Sequence, residues 1–97
     1  MPELKTGLWL YGGKHCGVCH ALKPQIESYL TKSWSKLPFH YIDCEEETDT
    51  CAQSQVFTLP VLRLYFDGRL YLEEVQVFSL QRFFKEIDRL CSEYYAA

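Results

Sequence analysis

The chain has 97 residues, too few for two ordinary domains, so one α/β domain over 1–97 is expected. Its composition, 47% hydrophobic and 15% aromatic, excludes disorder and low-complexity or collagen-like architectures. Ten Lys and Arg against thirteen Asp and Glu leave a net charge of −3 and no basic stripe, which argues against nucleic-acid binding. Leu8-Trp9-Leu10-Tyr11 is an apolar run ended by Gly12-Gly13, the pattern of a strand buried on both faces. From Gly17 to Trp34 the apolar residues Cys19, Leu22, Ile26, Tyr29, Leu30 and Trp34 recur at helical spacing. Pro24 lies inside that helix and should bend it by leaving the His20 carbonyl without a partner. Phe39 to Asp43 reads as a second strand.

The acidic stretch Glu45-Glu46-Glu47 follows and reads as a solvated loop face. Thr48 or Asp49 suits the cap of a short helix running to about Gln55. Val61 to Phe66 predicts a third strand, and Asp67-Gly68 a two-residue hairpin into a fourth, Arg69 to Val75. Leu80, Phe83, Phe84, Ile87, Cys91 and Tyr94 then repeat at helical spacing behind a Ser79 cap. The order is βαβαββα, a four-stranded mixed sheet flanked by helices. No apolar run is long enough to span a membrane. Met1-Pro2-Glu3-Leu4-Lys5 lacks the features of a signal peptide, so a cytoplasmic protein is expected. An odd number of cysteines, five, beside a strong core is unlike a secreted disulfide scaffold.

Cys16-Gly17-Val18-Cys19 falls where the first strand turns into the long helix. Cys16 would cap that helix, where unpaired N–H groups and the positive dipole end favour a thiolate, the form that attacks disulfides. Lys14 and His15 would add positive charge, and Cys19, one turn on, would sit shielded within reach. Other chemistries share this spacing. With His20 the string is also the haem-attachment pattern, but its second axial ligand would have to come from Met1, His15 or His40. Structural zinc could use Cys16, Cys19, Cys44 and Cys51, although six residues between the second pair is no knuckle spacing. Thiol–disulfide redox chemistry fits best, with no metal and no cofactor beyond the dithiol itself. Cys91 falls on the apolar stripe of the last helix and reads as core.

CGVC after LWLY, Pro24 five residues beyond Cys19, Thr58-Leu59-Pro60 and the strand pair around Asp67-Gly68 together resemble the thioredoxin superfamily from about Leu8 to Tyr94. The resemblance implies a cis Pro60 beside the cysteine pair, with Gly17, Val18, Thr58, Leu59 and Pro60 forming the surface for an extended substrate. It implies catalysis by Cys16 and Cys19 on protein disulfides and re-reduction by a flavin- and NADPH-dependent thioredoxin-reductase-like donor; a monomer is expected. Three positions depart from the pattern: His15 stands for tryptophan, Val18 for proline, and Leu10 for a buried carboxylate that assists proton removal from the second cysteine. His20 or water would then take that proton. The alternatives are a module that keeps the fold for binding or redox sensing, and a metal-binding protein.

Cys44 and Cys51 remain. One continuous helix would hold their Cα atoms about 10.5 Å apart at 1.5 Å per residue, beyond disulfide reach. A helix starting near Thr48 or Asp49 would let the chain fold back. Both outcomes, a second disulfide and two free thiols, stay open at this point.

Overall fold

A computed structural model describes residues 6–76 and 78–96. The Met1–Lys5 segment read for targeting signals lies outside them. The elements run β1 (Gly7–Gly12), α1 (Gly17–Ser33), β2 (Phe39–Asp43), α2 (Thr48–Gln53), β3 (Val61–Phe66), β4 (Arg69–Val75) and α3 (Leu80–Tyr95). The strands form one mixed sheet in the order β2-β1-β3-β4. β1 pairs parallel to β2 and antiparallel to β3, and β3 pairs antiparallel to β4. β1 is therefore interior, as its unbroken apolar run requires. The expected fold, a four-stranded mixed sheet with helices on both faces, is the observed one.

Strand alternation sorts the side chains into two cores. Leu8, Leu10, Leu62, Leu64 and Phe66 meet Leu22, Ile26 and Leu30 of α1 and Phe83, Ile87 and Cys91 of α3. The opposite face carries Tyr11 and Val61, packed with Cys51 of α2 and Val56. Arg63 points to that second face and is almost fully buried. Its Nε donates to Glu73 Oε2 at 2.7 Å and its Nη1 to the Ser54 carbonyl at 2.7 Å. A buried guanidinium needs such partners, because taking the charge from water without them is costly.

Ser79 caps α3 by accepting the Arg82 N–H at 3.3 Å. Asp67 and Gly68 both take positive φ, 54° and 83°, the backbone of a tight hairpin turn. Pro24 lies within α1 without ending it. The short helix departs from expectation. It stops at Gln53, not Gln55, and its N-cap is Glu47, whose side chain makes no capping hydrogen bond. Thr48 and Asp49 lie inside the first turn. The Thr48 hydroxyl instead donates back to the Cys44 carbonyl at 3.4 Å.

Ile87 is fully buried between α3 and the sheet. Replacing it with alanine should cost about 2–5 kcal/mol. The exposed Leu70 on β4 should tolerate the same change within about 0.5 kcal/mol. Urea unfolding of both variants measures the difference.

Candidate active site

The site lies beyond the C-terminal end of β1. Cys16 is the N-cap of α1, with extended backbone, and its sulfur accepts the Cys19 N–H at 3.2 Å. Cys16 and Cys19 are joined as a disulfide with Cα atoms 5.2 Å apart. Cys16 is half-buried and Cys19 is fully buried. The first cysteine is therefore partly open to solvent at a helix N-terminus, while the second stands behind it. Gly17 is exposed, a side chain there would meet nothing within 4 Å, and its φ is not in the left-handed region. Val18 is 57% exposed, unusual for a valine, and forms an apolar rim beside Cys16.

The Leu59–Pro60 peptide is cis. Tyr11 of β1 is the register partner of Val61, so Pro60 sits next to Gly12 at the active-site end of the sheet. Pro60 is buried, Leu59 half-buried and Thr58 exposed. The Pro60 carbonyl is taken by the Gln76 N–H at 2.8 Å. Phe57, 79% exposed, adds apolar surface just upstream. Sequence reading passed over it, because nothing local distinguishes an exposed phenylalanine from a core one.

The acidic stretch is exposed, as a solvated loop face should be, and it also reaches the residues before Cys16. Glu45 accepts the His15 backbone N–H at 2.9 Å and faces His15 Nδ1 at 2.8 Å. Glu46 pairs with Lys14 Nζ at 2.7 Å. These hydrogen bonds from His15 hold the Glu45 carboxyl below its usual range. The hydrogen bond to Glu46 likewise raises the Lys14 ammonium. Lys14 and His15, expected to add positive charge when protonated, each face a carboxylate that offsets it. What remains to favour a Cys16 thiolate is the helix N-terminus.

Cys44 and Cys51 are bonded, with Cα atoms 5.6 Å apart. The start of α2 at Thr48 is what permits this, since Cys44 lies before the helix and the chain folds back. The Cys44 N–H also binds the Gly12 carbonyl at 2.8 Å, which fixes the acidic stretch against the end of β1. Four of the cysteines thus form two separate pairs. Cys91 is a free, fully buried thiol, and burial pushes it up to about 11.

Three positions bear on how Cys19 could lose a proton. Leu10 is fully buried in the apolar core, so no carboxylate lies there. The His20 ring is turned outward, with Nε2 3.1 Å from the Lys14 carbonyl. Tyr41, the register partner of Leu10, reaches the space beside Gly12 and Cys19, with Lys23 Nζ 5.0 Å above its ring. No sequence pattern marks Tyr41, because only the strand register brings it here.

A sequence model of the thioredoxin family matches residues 6–89. The chain belongs to the thioredoxin family. The thioredoxin-like protein YdfQ of Bacillus subtilis is 28% identical over 79 residues, covering 81% of this chain and 70% of YdfQ. The 33 kDa chaperonin of Vibrio vulnificus is 34% identical over 80 residues, covering 81% of this chain but only 26% of the chaperonin. Thioredoxin 1 of Thermosipho africanus superposes with a TM-score of 0.82 at 22% identity, over 91% of this chain and 97% of that one. Thioredoxin O2 of Arabidopsis thaliana gives 0.78 at 19% identity, over 89% of this chain and 75% of that one. Family and cysteine pair together support thiol–disulfide redox chemistry.

Two outcomes test this electrostatic arrangement. Glu45→Gln should lower the Cys16 titration midpoint in the reduced protein by less than about one pH unit, because exposed charges are screened. Iodoacetamide rates against pH measure it. Glu45, held below the ordinary carboxylate range by the hydrogen bonds from His15, stays ionised across the whole thiol titration, so its influence on Cys16 is present at every pH of that measurement. Opening the second bridge with Cys44→Ala/Cys51→Ala should cost roughly 2–3 kcal/mol in the loop-entropy account, read by denaturant unfolding.

Proposed function

We propose that this thioredoxin-family protein reduces disulfide bonds in protein substrates. The observation that carries the reading is the asymmetry of the pair: Cys16 half-exposed at the N-cap of α1, Cys19 fully buried one turn behind it. The Cys16 thiolate attacks a substrate sulfur, the other substrate sulfur leaves with the electron pair, and a mixed disulfide remains. Cys19 then attacks Cys16, releases the second substrate thiol and closes the Cys16–Cys19 bond. An extended substrate segment docks along Gly17 and Val18 on one side and Thr58, Leu59 and Pro60 on the other. The exposed Val18 and the exposed Phe57 support that path. Electrons return from a flavin- and NADPH-dependent reductase.

A binding or sensing module is the competing reading, and the fully buried Leu10 is the observation that favours it. Reduction of insulin by dithiothreitol separates the two. Wild type should accelerate precipitation and Cys16→Ser should not; equal rates would remove the reductase reading. Brief iodoacetamide treatment of the reduced protein, followed by peptide mapping, should label Cys16 first. Cys19 should lag, and Cys91, buried and raised to about 11, should trail both.

A further inference from the structure

Cys19 must ionise before it can resolve a mixed disulfide, yet it is fully buried. Burial opposes the charged form of a thiol unless a hydrogen-bond donor meets it. His20 is turned to the Lys14 carbonyl at 3.1 Å, and Leu10, at the position where the family's pattern has a carboxylate, is apolar. The Tyr41 hydroxyl is different. Its oxygen is buried and has no hydrogen-bond partner among the described residues. A methyl group at Gly12 would stand 2.5 Å from Tyr41 Oη and 2.8 Å from Cys19 Cβ, so hydroxyl and cysteine flank one point. Buried polar groups without partners are rare, and each asks for an explanation.

We propose that the Tyr41 hydroxyl donates a hydrogen bond to the Cys19 thiolate of the reduced protein. The inference rests on the reading of Cys16 and Cys19 as the exchanging pair. The hydroxyl has no partner in the oxidised protein because Cys19 carries no charge once its sulfur is bonded to Cys16. Reduction supplies the acceptor.

The groups facing Tyr41 fit a donor and not a base. Burial first, and then the anions Asp43 of β2 and Glu45 of the segment after it, hold the phenol above its ordinary range and keep it protonated. The Gly13 backbone acts in the opposite direction, without completing a hydrogen bond that meets normal geometry. Lys23 of α1 lies over the ring at 5.0 Å, and Leu10 of β1 brings no charge. The step balances. Cys19 gives its proton to solvent, and its electron pair forms the bond to Cys16 Sγ as the bond from Cys16 to the substrate sulfur breaks. The substrate leaves as a thiolate and takes a proton from solvent; the dithiol has lost two electrons and the substrate disulfide has gained them.

Tyr41→Phe removes only the hydroxyl. With 13C-labelled cysteine Cβ in the reduced protein, the Cys19 titration midpoint should rise by about one pH unit, while that of Cys16 stays put. Release of substrate from the mixed disulfide should slow about tenfold near neutral pH. The melting temperature should not fall, since an unpartnered buried oxygen has been removed. Lys23→Met, which takes away the cation over the ring, should shift the Cys19 midpoint less and in the same direction, and serves if the first variant does not fold. An unchanged Cys19 midpoint in either folded variant, or an equal shift of both thiols, overturns the inference. A wild type that reduces no disulfide removes the reductase reading; a competent wild type with an unmoved Cys19 in Tyr41→Phe removes this inference alone.

Discussion

The backbone at Gly12, the last residue of β1, is pressed against β2 on one side and α1 on the other. A single methyl there would meet Tyr41 Oη at 2.5 Å, Cys19 Cβ at 2.8 Å and Tyr41 Cζ at 2.9 Å, closer than carbon atoms approach. Only glycine leaves room for the strand to end this near the helix that carries the cysteine pair. The Gly12 carbonyl meanwhile accepts the Cys44 N–H at 2.8 Å, so the acidic stretch hangs from the same residue. Active-site turn, strand end and second disulfide therefore converge on one backbone position.

That convergence decides the electrostatics around Cys16. His15 and Lys14, just before it in the chain, face Glu45 and Glu46, brought over from the end of β2. Exposed pairs of this kind contribute little to stability. Their effect is on field: the positive charge of Lys14, which would have favoured a thiolate, is offset, and the helix N-terminus is left as the principal influence. The Cys44–Cys51 bond ties the start of the acidic stretch to α2, where Cys51 is buried against Tyr11 and Val56. A bridge some distance from CGVC in sequence thus holds the carboxylates that face its flank.

The two faces of the sheet do different work. One joins α1 and α3 in an almost wholly apolar core that contains Leu10, so the base of the active-site helix is dry. Tyr29 of α1 donates through its hydroxyl to Asp88 of α3, which also accepts the Trp34 Nε1–H at 2.8 Å, and the two helices are latched at that end. The other face is smaller and holds Arg63, Tyr11 and the second disulfide. Polar needs near Cys19 are met from the β2 edge, by Tyr41, and not from the strand beneath.

Local patterns were enough for the elements themselves. β2, β3 and β4 run between the residues that alternation and turn chemistry mark, and Ser79 caps α3, because each depends on neighbours a few positions apart. CGVC at the strand-to-helix turn, and the cis proline before the hairpin, were legible as family features in the same way. The Glu47 cap of α2 was not, since it makes no side-chain bond that a capping preference could foretell. Nor were the Lys14–Glu46 and His15–Glu45 contacts, the latter joining residues 30 positions apart. Tyr41 reads in sequence as one aromatic in a strand; the register that pairs it with Leu10 places its hydroxyl beside Cys19. The chain by itself determined which residues could do the chemistry. The sheet register and the close approach at Gly12 decided which charges and hydroxyls surround them, because those contacts form between segments whose order in space is set only when the strands pair.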